Sequence, residues 1–269
     1  MHGRVRDNVR HIRGGDDEAV ARAQWRNYVR YMRDFAALEH EAPAATEQIF
    51  AAAEGWQHIV DAMAEGKGLI VCSAHFGNWD LAGAAMAQHY PVNVIADTFR
   101  SASMDRLINR RRELLRLKVI PVEKAVKRTV SALKRGEGVA FLIDKPVVGD
   151  EGVEVEFFGA PVRIPAGAGF FAARVGAPIV PAFVWRKPDR TFAGRVLPAL
   201  RAASKEDVQP LMQRVMASVE DMVREHPESW YMFRSMWLPE TSSEKLAVHE
   251  RPPATHRSLP VARKEEALA

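Results

Sequence analysis

The stretch Gly68-Leu69-Ile70-Val71-Cys72-Ser73-Ala74-His75-Phe76-Gly77-Asn78-Trp79-Asp80 decides how the rest of the chain is read. Gly68 to Cys72 is an unbroken apolar run, as a strand buried on both faces of a parallel sheet requires. Trp79 to Met86 reads as the helix that follows, starting near Asn78. His75 therefore falls at the carboxyl end of a strand, where open α/β sheets bind their ligands. Gly77 permits a sharp turn or a close backbone approach just after it. Asp80 lies in the first helical turn, from which it is expected to reach back to one imidazole nitrogen. A carboxylate on Nδ1 fixes the tautomer, makes Nε2 more basic and stabilises the imidazolium. Such a pair is a general base for a hydroxyl and needs no enzyme nucleophile. The bare spacing also fits a His and an Asp with no chemistry, so the pair is a hypothesis that its setting must support.

Outward from this turn, strands and helices alternate. Trp25, Tyr28, Met32 and Phe35 recur at helical spacing within a helix from about Asp17 to Glu39, with Arg22, Arg26, Arg30 and Arg33 between them. Either this stripe packs on the domain or the helix lies in a membrane interface, aromatics in lipid and arginines at head groups. Pro43 is expected to break the chain, and a second helix to run from Thr46 to Gly66. Beyond the His75 turn come strand Val92–Ala96, a basic helix from Ser103 to Leu117, strand Lys118–Pro121, helix Lys124–Arg135 and strand Gly138–Ile143. Val153 to Ile164 alternates in polarity around a turn and reads as a hairpin or an extended loop. Pro165 opens a helix that ends at Gly176. Strand Ala177–Trp185, a partner near Arg195–Leu197 and a helix from Lys205 to Glu225 follow. The rhythm predicts one layered α/β/α domain over 17–238, with a mainly parallel sheet preceded by N-terminal helices. Residues 1–16 are expected to be loosely ordered, and 239–269, polar with Pro252-Pro253, a disordered tail.

Composition narrows the function. The single cysteine, Cys72, excludes an internal disulfide and a multi-cysteine metal site, and its place in the apolar strand marks it as a small core residue. No apolar run of about 18 residues is present, so no transmembrane helix is expected, and the Arg- and Asp-rich start does not read as a signal peptide. The net charge is only +4, yet Arg100 to Arg128 holds ten Lys/Arg against three Asp/Glu. Such a local surplus suits an anionic partner, or else is a solvated helix face. With Phe99 the only aromatic beside it, base stacking and hence nucleic acid are disfavoured.

His75-Phe76-Gly77-Asn78-Trp79-Asp80 resembles the His-x-x-x-x-Asp/Glu motif of bacterial lipid A biosynthesis acyltransferases, a family that includes the phosphatidylinositol mannoside acyltransferases of mycobacteria. The likeness runs from about residue 20 to 238 and implies a glycerolipid-acyltransferase-like fold. It implies transfer of a fatty acyl group from an acyl carrier protein or coenzyme A thioester, a co-substrate rather than a cofactor, to a hydroxyl of a membrane glycolipid. His75 would be the base and Asp80 its orienting carboxylate. Arg112 matches an arginine implicated in function, suited to a phosphate or to charge on the thioester oxygen. Asp144, ending its strand, should face the same crevice as His75. Glu154 resembles an acceptor-side carboxylate, and Arg163 lies in the family's Phe-Phe-Gly to Pro-Ala-Gly passage. Arg100 and its basic neighbours would bind phosphates or the acidic carrier. His226-Pro227-Glu228-Ser229-Trp230 resembles the family's His-Pro-Glu-x-Trp ending, with His226 itself read as structural. The implied setting is peripheral, on the cytoplasmic face of the inner membrane.

Other chemistries fit poorly. Ser73 lacks the Gly-x-Ser-x-Gly elbow of a nucleophile. His75 without a second His makes a poor zinc site, so no metal is expected, and no phosphate-binding glycine loop is present. A glycerophosphate acyltransferase shares the His motif, but its later Phe-Pro-Glu-Gly-Thr-Arg run is missing. The non-enzyme alternative is a basic module for anionic membranes, which accounts for 100–128 but not for His75.

Overall fold

The computed structural model describes residues 2–99, 101–147, 152–204 and 206–237. In chain order the elements are α1 (His2–Arg13), α2 (Glu18–Ala52), β1 (Ala53–Glu54), α3 (Gln57–Ala64), β2 (Leu69–Ser73), α4 (Trp79–Ala87), β3 (Val92–Ala96), α5 (Ala102–Leu114) and β4 (Leu117–Pro121). A 3-10 turn, Val122–Lys124, leads into α6 (Ala125–Lys134) and β5 (Gly138–Leu142). The hairpin β6 (Val153–Phe157) and β7 (Ala160–Ile164), α7 (Gly167–Val175), β8 (Ile179–Arg186), β9 (Phe192–Val196) and α8 (Val208–Glu225) complete the order.

The main sheet has seven strands in the order β1-β9-β8-β2-β5-β3-β4. It is parallel except where β9 returns antiparallel along β8. Successive side chains of a strand point to opposite faces, and β2 shows what each face holds. Ile70 and Cys72 join a core beneath α7 and α8, through Phe171, Met212, Val215 and Val219. Leu69 and Val71 face a second core with Leu81, Ala84 and Ala85 of α4 and Ile59 of α3. Helices thus cover both faces, which is the expected α/β/α layering. Cys72 is fully buried, and desolvation raises its thiol far above the ordinary value, leaving it an inert core residue.

Two expectations change, and one open alternative closes. Residues 2–13 form α1, in which Val5 and Val9, four apart, bury against Ala21 of α2. Asn8 adds side-chain hydrogen bonds to the Met232 and Arg234 carbonyls. Charged neighbours mask this two-residue apolar stripe in the sequence. Pro43 does not break the chain: α2 runs through it for 35 residues. The backbone bond a proline forfeits is outweighed because the helix is anchored on both sides, by buried Tyr31 and Phe35 before and Ile49 after. The aromatic stripe of α2 packs inward. Trp25 stacks on Phe233 at 4.3 Å, Tyr28 meets Tyr231 at 5.7 Å, and Tyr31 lies 4.2 Å from Trp79. Gln24 and Asn27 donate to the carbonyls of Pro227 and Glu228. The helix therefore clamps the segment 226–237 instead of offering its aromatics to lipid.

The turn leaving β2 is wedged between β8 and that segment. Gly77 donates to the Ser229 carbonyl, Asn78 N–H donates to the Val184 carbonyl, and Phe76 bridges to Trp230. Gly77 has φ +58, and a Cβ there would sit 1.8 Å from the Val184 carbonyl oxygen. Backbone strain and a clash with immovable backbone act together. Gly77→Ala is expected to destabilise the fold by roughly 2–4 kcal/mol; urea denaturation against wild type measures this, and a cost within about 0.5 kcal/mol would contradict it.

Candidate active site

Strand register brings the reactive pair together. β2 and β5 are adjacent and parallel, with Ser73 opposite Leu142, and Ile143 N–H donates to the Ser73 carbonyl at 3.0 Å. Two residues past each strand, His75 and Asp144 emerge side by side. His75 Nδ1 donates to Asp144 Oδ1 at 2.8 Å, and the His75 backbone N–H donates to Oδ2 at 2.9 Å. The Trp230 indole N–H donates to the same Oδ2 at 2.9 Å. Asp144 is completely buried, whereas the His75 side chain is 34% exposed. Among the described residues Nε2 has no hydrogen-bond partner.

The electrostatics follow from this geometry. Burial disfavours the His75 imidazolium, but the Asp144 charge and hydrogen bond outweigh it and raise the imidazole above its ordinary value. Burial alone would raise Asp144; the His75 charge, the two His75 N–H bonds and the Trp230 N–H together hold it below the usual carboxylate range. Asp144 stays ionised, and His75 is a stronger base than free imidazole.

Asp80 is not the carboxylate on His75, and the expected orienting role falls to Asp144. Both Asp80 oxygens are engaged elsewhere: Oδ1 accepts from Arg112 Nε at 2.9 Å and Oδ2 from the Tyr31 hydroxyl at 2.7 Å. The reason is the helix start. Asn78 caps α4 by accepting from Leu81 N–H at 3.1 Å, and Asp80 points from the first turn toward α2 and α5. Arg112 is raised further as a cation, since Asp80 more than offsets its burial. Tyr31 is pushed well up by burial first and by Asp80 second, so its hydroxyl remains a donor.

Behind this cluster a narrow cavity of about 90 Å³ runs between α4 and the sheet. Ser73, Trp79, Asp80 and Arg112 make its polar end; Ile59, Met86, Val94, Phe141 and Val184 are among its apolar walls. Trp79 also lies edge-on to the His75 ring at 5.4 Å, so one side chain touches both cavity and base.

Two further expected residues pair with each other. Glu154 and Arg163 face each other across β6 and β7 and form an exposed ion pair at 3.4 Å. Their side chains alternate with Val155, Phe157, Val162 and Ile164, which bury, so the hairpin's pleat turns Glu154 and Arg163 away from the core. Arg100 lies outside the described residues. Trp230 and Tyr31 were not foreseen as site residues. The His226-to-Trp230 motif carries the first, and its contribution comes from the indole rather than from His226. Tyr31 is indistinguishable in sequence from the other aromatics of its stripe.

With this geometry in hand, comparison with known proteins is informative. Residues 9–239 match the family described as bacterial lipid A biosynthesis acyltransferase, and the chain belongs to that family. It is an acyltransferase. A phosphatidylinositol mannoside acyltransferase of Mycobacterium tuberculosis (strain ATCC 25618 / H37Rv) is 29% identical over 254 residues, 90% of this chain and 79% of that protein. One of the same name from Mycolicibacterium smegmatis (strain ATCC 700084 / mc(2)155) is 26% identical over 236 residues, covering 85% and 75%.

The two carboxylates can be told apart by titration. With His75 as base, which must be neutral, the rate should fall as pH drops through the titration of its imidazole, which Asp144 raises above the ordinary value. Asp144→Asn removes the charge that raises it and leaves burial unopposed. The acid limb should then move to lower pH while the plateau rate drops about 10²–10⁴-fold. Asp80→Asn should leave the position of that limb in place. A pH–rate profile in which Asp80→Asn moves the limb and Asp144→Asn does not would reverse the assignment.

Proposed function

We propose that the protein transfers a fatty acyl group from a thioester of acyl carrier protein or coenzyme A to a hydroxyl of a membrane glycolipid, with His75 as general base. The observation that carries this reading is the imidazole pinned at Nδ1 by buried Asp144, with Nε2 facing outward. As the acceptor oxygen bonds to the thioester carbon, its proton passes to Nε2. The tetrahedral intermediate then collapses, the C–S bond breaks, and the imidazolium returns the proton to the departing thiolate. An ester and a free thiol result, so the protons balance without a covalent enzyme intermediate. Asp144 offsets the imidazolium charge during the step. Arg112, held by Asp80 at the polar end of the cavity, supplies positive charge for the thioester oxygen, and the apolar walls accept the acyl chain.

The likeness to phosphatidylinositol mannoside acyltransferases supports a mannosylated phosphatidylinositol as acceptor, and the family description supports a lipid A precursor. Either is a glycolipid, and the work is done at the membrane surface, on the cytoplasmic face, by a peripherally bound enzyme. Among the described residues no helix is long and apolar enough to cross a membrane. The test is lipid mass spectrometry of cells lacking the protein, complemented with wild type or with His75→Ala. Wild type should restore one acyl chain on a glycolipid, whose mass gives acceptor and chain. His75→Ala should reduce the product about 10²–10⁴-fold. Equal restoration by both would remove His75 as the base.

A further inference from the structure

Helix α5 has no buried residue. A surface helix ordinarily turns an apolar stripe inward; here Ile108 is only partly covered, while Met104, Leu107 and Leu114 are each about half exposed. Leu107 and Leu114, two turns apart, share one outward face with Arg110 between them. The pattern continues into the neighbouring segments. Of the nine large hydrophobic side chains exposed among the described residues, six lie between 99 and 126: Phe99, Met104, Leu107, Leu114, Val122 and Val126. Arg106, Arg110, Lys124, Lys127 and Arg128 are exposed among them.

These segments meet at one end of the sheet, although α5 packs on the α4 side through Ile108 and α6 on the α7–α8 side through Ala132 and Leu133. β3 and β4 are adjacent and parallel, so the chain leaves both at the same edge of the sheet. There Thr98 donates to Glu123 at 3.3 Å, which ties the end of β3 to the turn after β4. The Phe99 N–H donates to Asp105 at 3.0 Å, which sets Phe99 against the first turn of α5. The edge is the carboxyl end of the strands, the end that carries His75 and Asp144. Arg112, on the inner side of α5, connects the surface to the polar end of the cavity.

We propose that the carboxyl end of β3 and β4, with the first turns of α5 and α6 and the Val122–Lys124 turn, is the surface by which the protein docks on an anionic phospholipid bilayer. The apolar side chains are dispersed singly between cations instead of pooled into a pocket. A rigid protein partner calls for a matched cavity, whereas a fluid interface takes each apolar side chain on its own and places phosphates beside each Lys or Arg. The surface rests on the proposed acyl transfer in one respect only, the membrane lipid as acceptor. Among its described side chains the α2 face offers Val29 and Met32 as exposed large hydrophobics, with Trp25 and Tyr28 committed to the 226–237 segment.

Vesicle flotation of the full chain tests this, using phosphatidylcholine vesicles with and without phosphatidylglycerol. The double variant Met104→Glu with Val126→Glu is compared with a control, Val29→Glu with Met32→Glu, after circular dichroism shows both fold. Partition of wild type onto anionic vesicles should exceed that onto neutral ones. The α5–α6 variant should lose about tenfold or more of it, and the control should keep it. Transfer to a detergent-dispersed acceptor should stay within about twofold of wild type for the α5–α6 variant. Wild-type partition by the α5–α6 variant, loss confined to the control, or no preference of wild type for anionic vesicles would each overturn the proposal. So would a variant that keeps its vesicles but no longer binds acyl carrier protein, since the surface would then serve an acidic protein. Vesicle binding lost in the variant, with no acyl transfer by wild type, would leave the docking surface intact and sink the catalytic reading.

Discussion

A carboxylate with no exposure to water governs the site. Taking Asp144 out of solvent costs several kcal/mol unless its lone pairs are matched by donors and its charge by a cation. The protein supplies three N–H donors, two from His75 and one from Trp230. Each comes from a different structural commitment. The β2–β5 register delivers the His75 backbone, the turn at Gly77 aims the ring, and the segment after α8 delivers the indole. Asp144 therefore orients the His75 imidazole, while His75 and Trp230 keep Asp144 ionised.

The segment 226–237 is the second dependency. It carries Trp230 to Asp144, and the Tyr231 N–H donates to the His75 carbonyl at 2.7 Å. What holds it there is far away in sequence: Asn8 of α1, and Gln24 and Asn27 of α2, all bonded to its carbonyls. The N-terminal helices thus hold the segment that bonds to both His75 and Asp144. A separate buried cluster, Tyr31–Asp80–Arg112, fixes a cation beside the apolar cavity. The two buried carboxylates thus have different partners, Asp144 holding His75 and Asp80 holding Arg112.

Local pattern made much of this legible. Apolar runs such as Leu69–Cys72 and Gly138–Ile143 announce buried parallel strands, and the polarity switch at Asn78 announces α4. His75 was identifiable because a histidine ending such a strand points at the crevice. Its partner was not, because spacing along the chain favoured Asp80 five residues on, whereas the contact is set by which strands are neighbours. Asp144 was placed in the same crevice by its own strand end, but only register decides between the two. Pro43 misled because helix-breaking is a local cost and the anchoring of α2 on both sides is tertiary. The two valines of α1 and the Asn8 bonds are likewise invisible without the segment they clasp. Glu154 and Arg163 drew notice as a motif, yet in the fold they are the solvent face of a hairpin, turned through Phe158 and Gly159 at positive φ.

The central claim is that His75 is a base made by Asp144, and nitrogen-15 NMR of the His75 ring across pH reads it directly. The expected result is a neutral ring protonated at Nδ1, unprotonated at Nε2, and titrating above free imidazole. A neutral ring carrying its proton on Nε2, or one titrating at or below free imidazole, would contradict it.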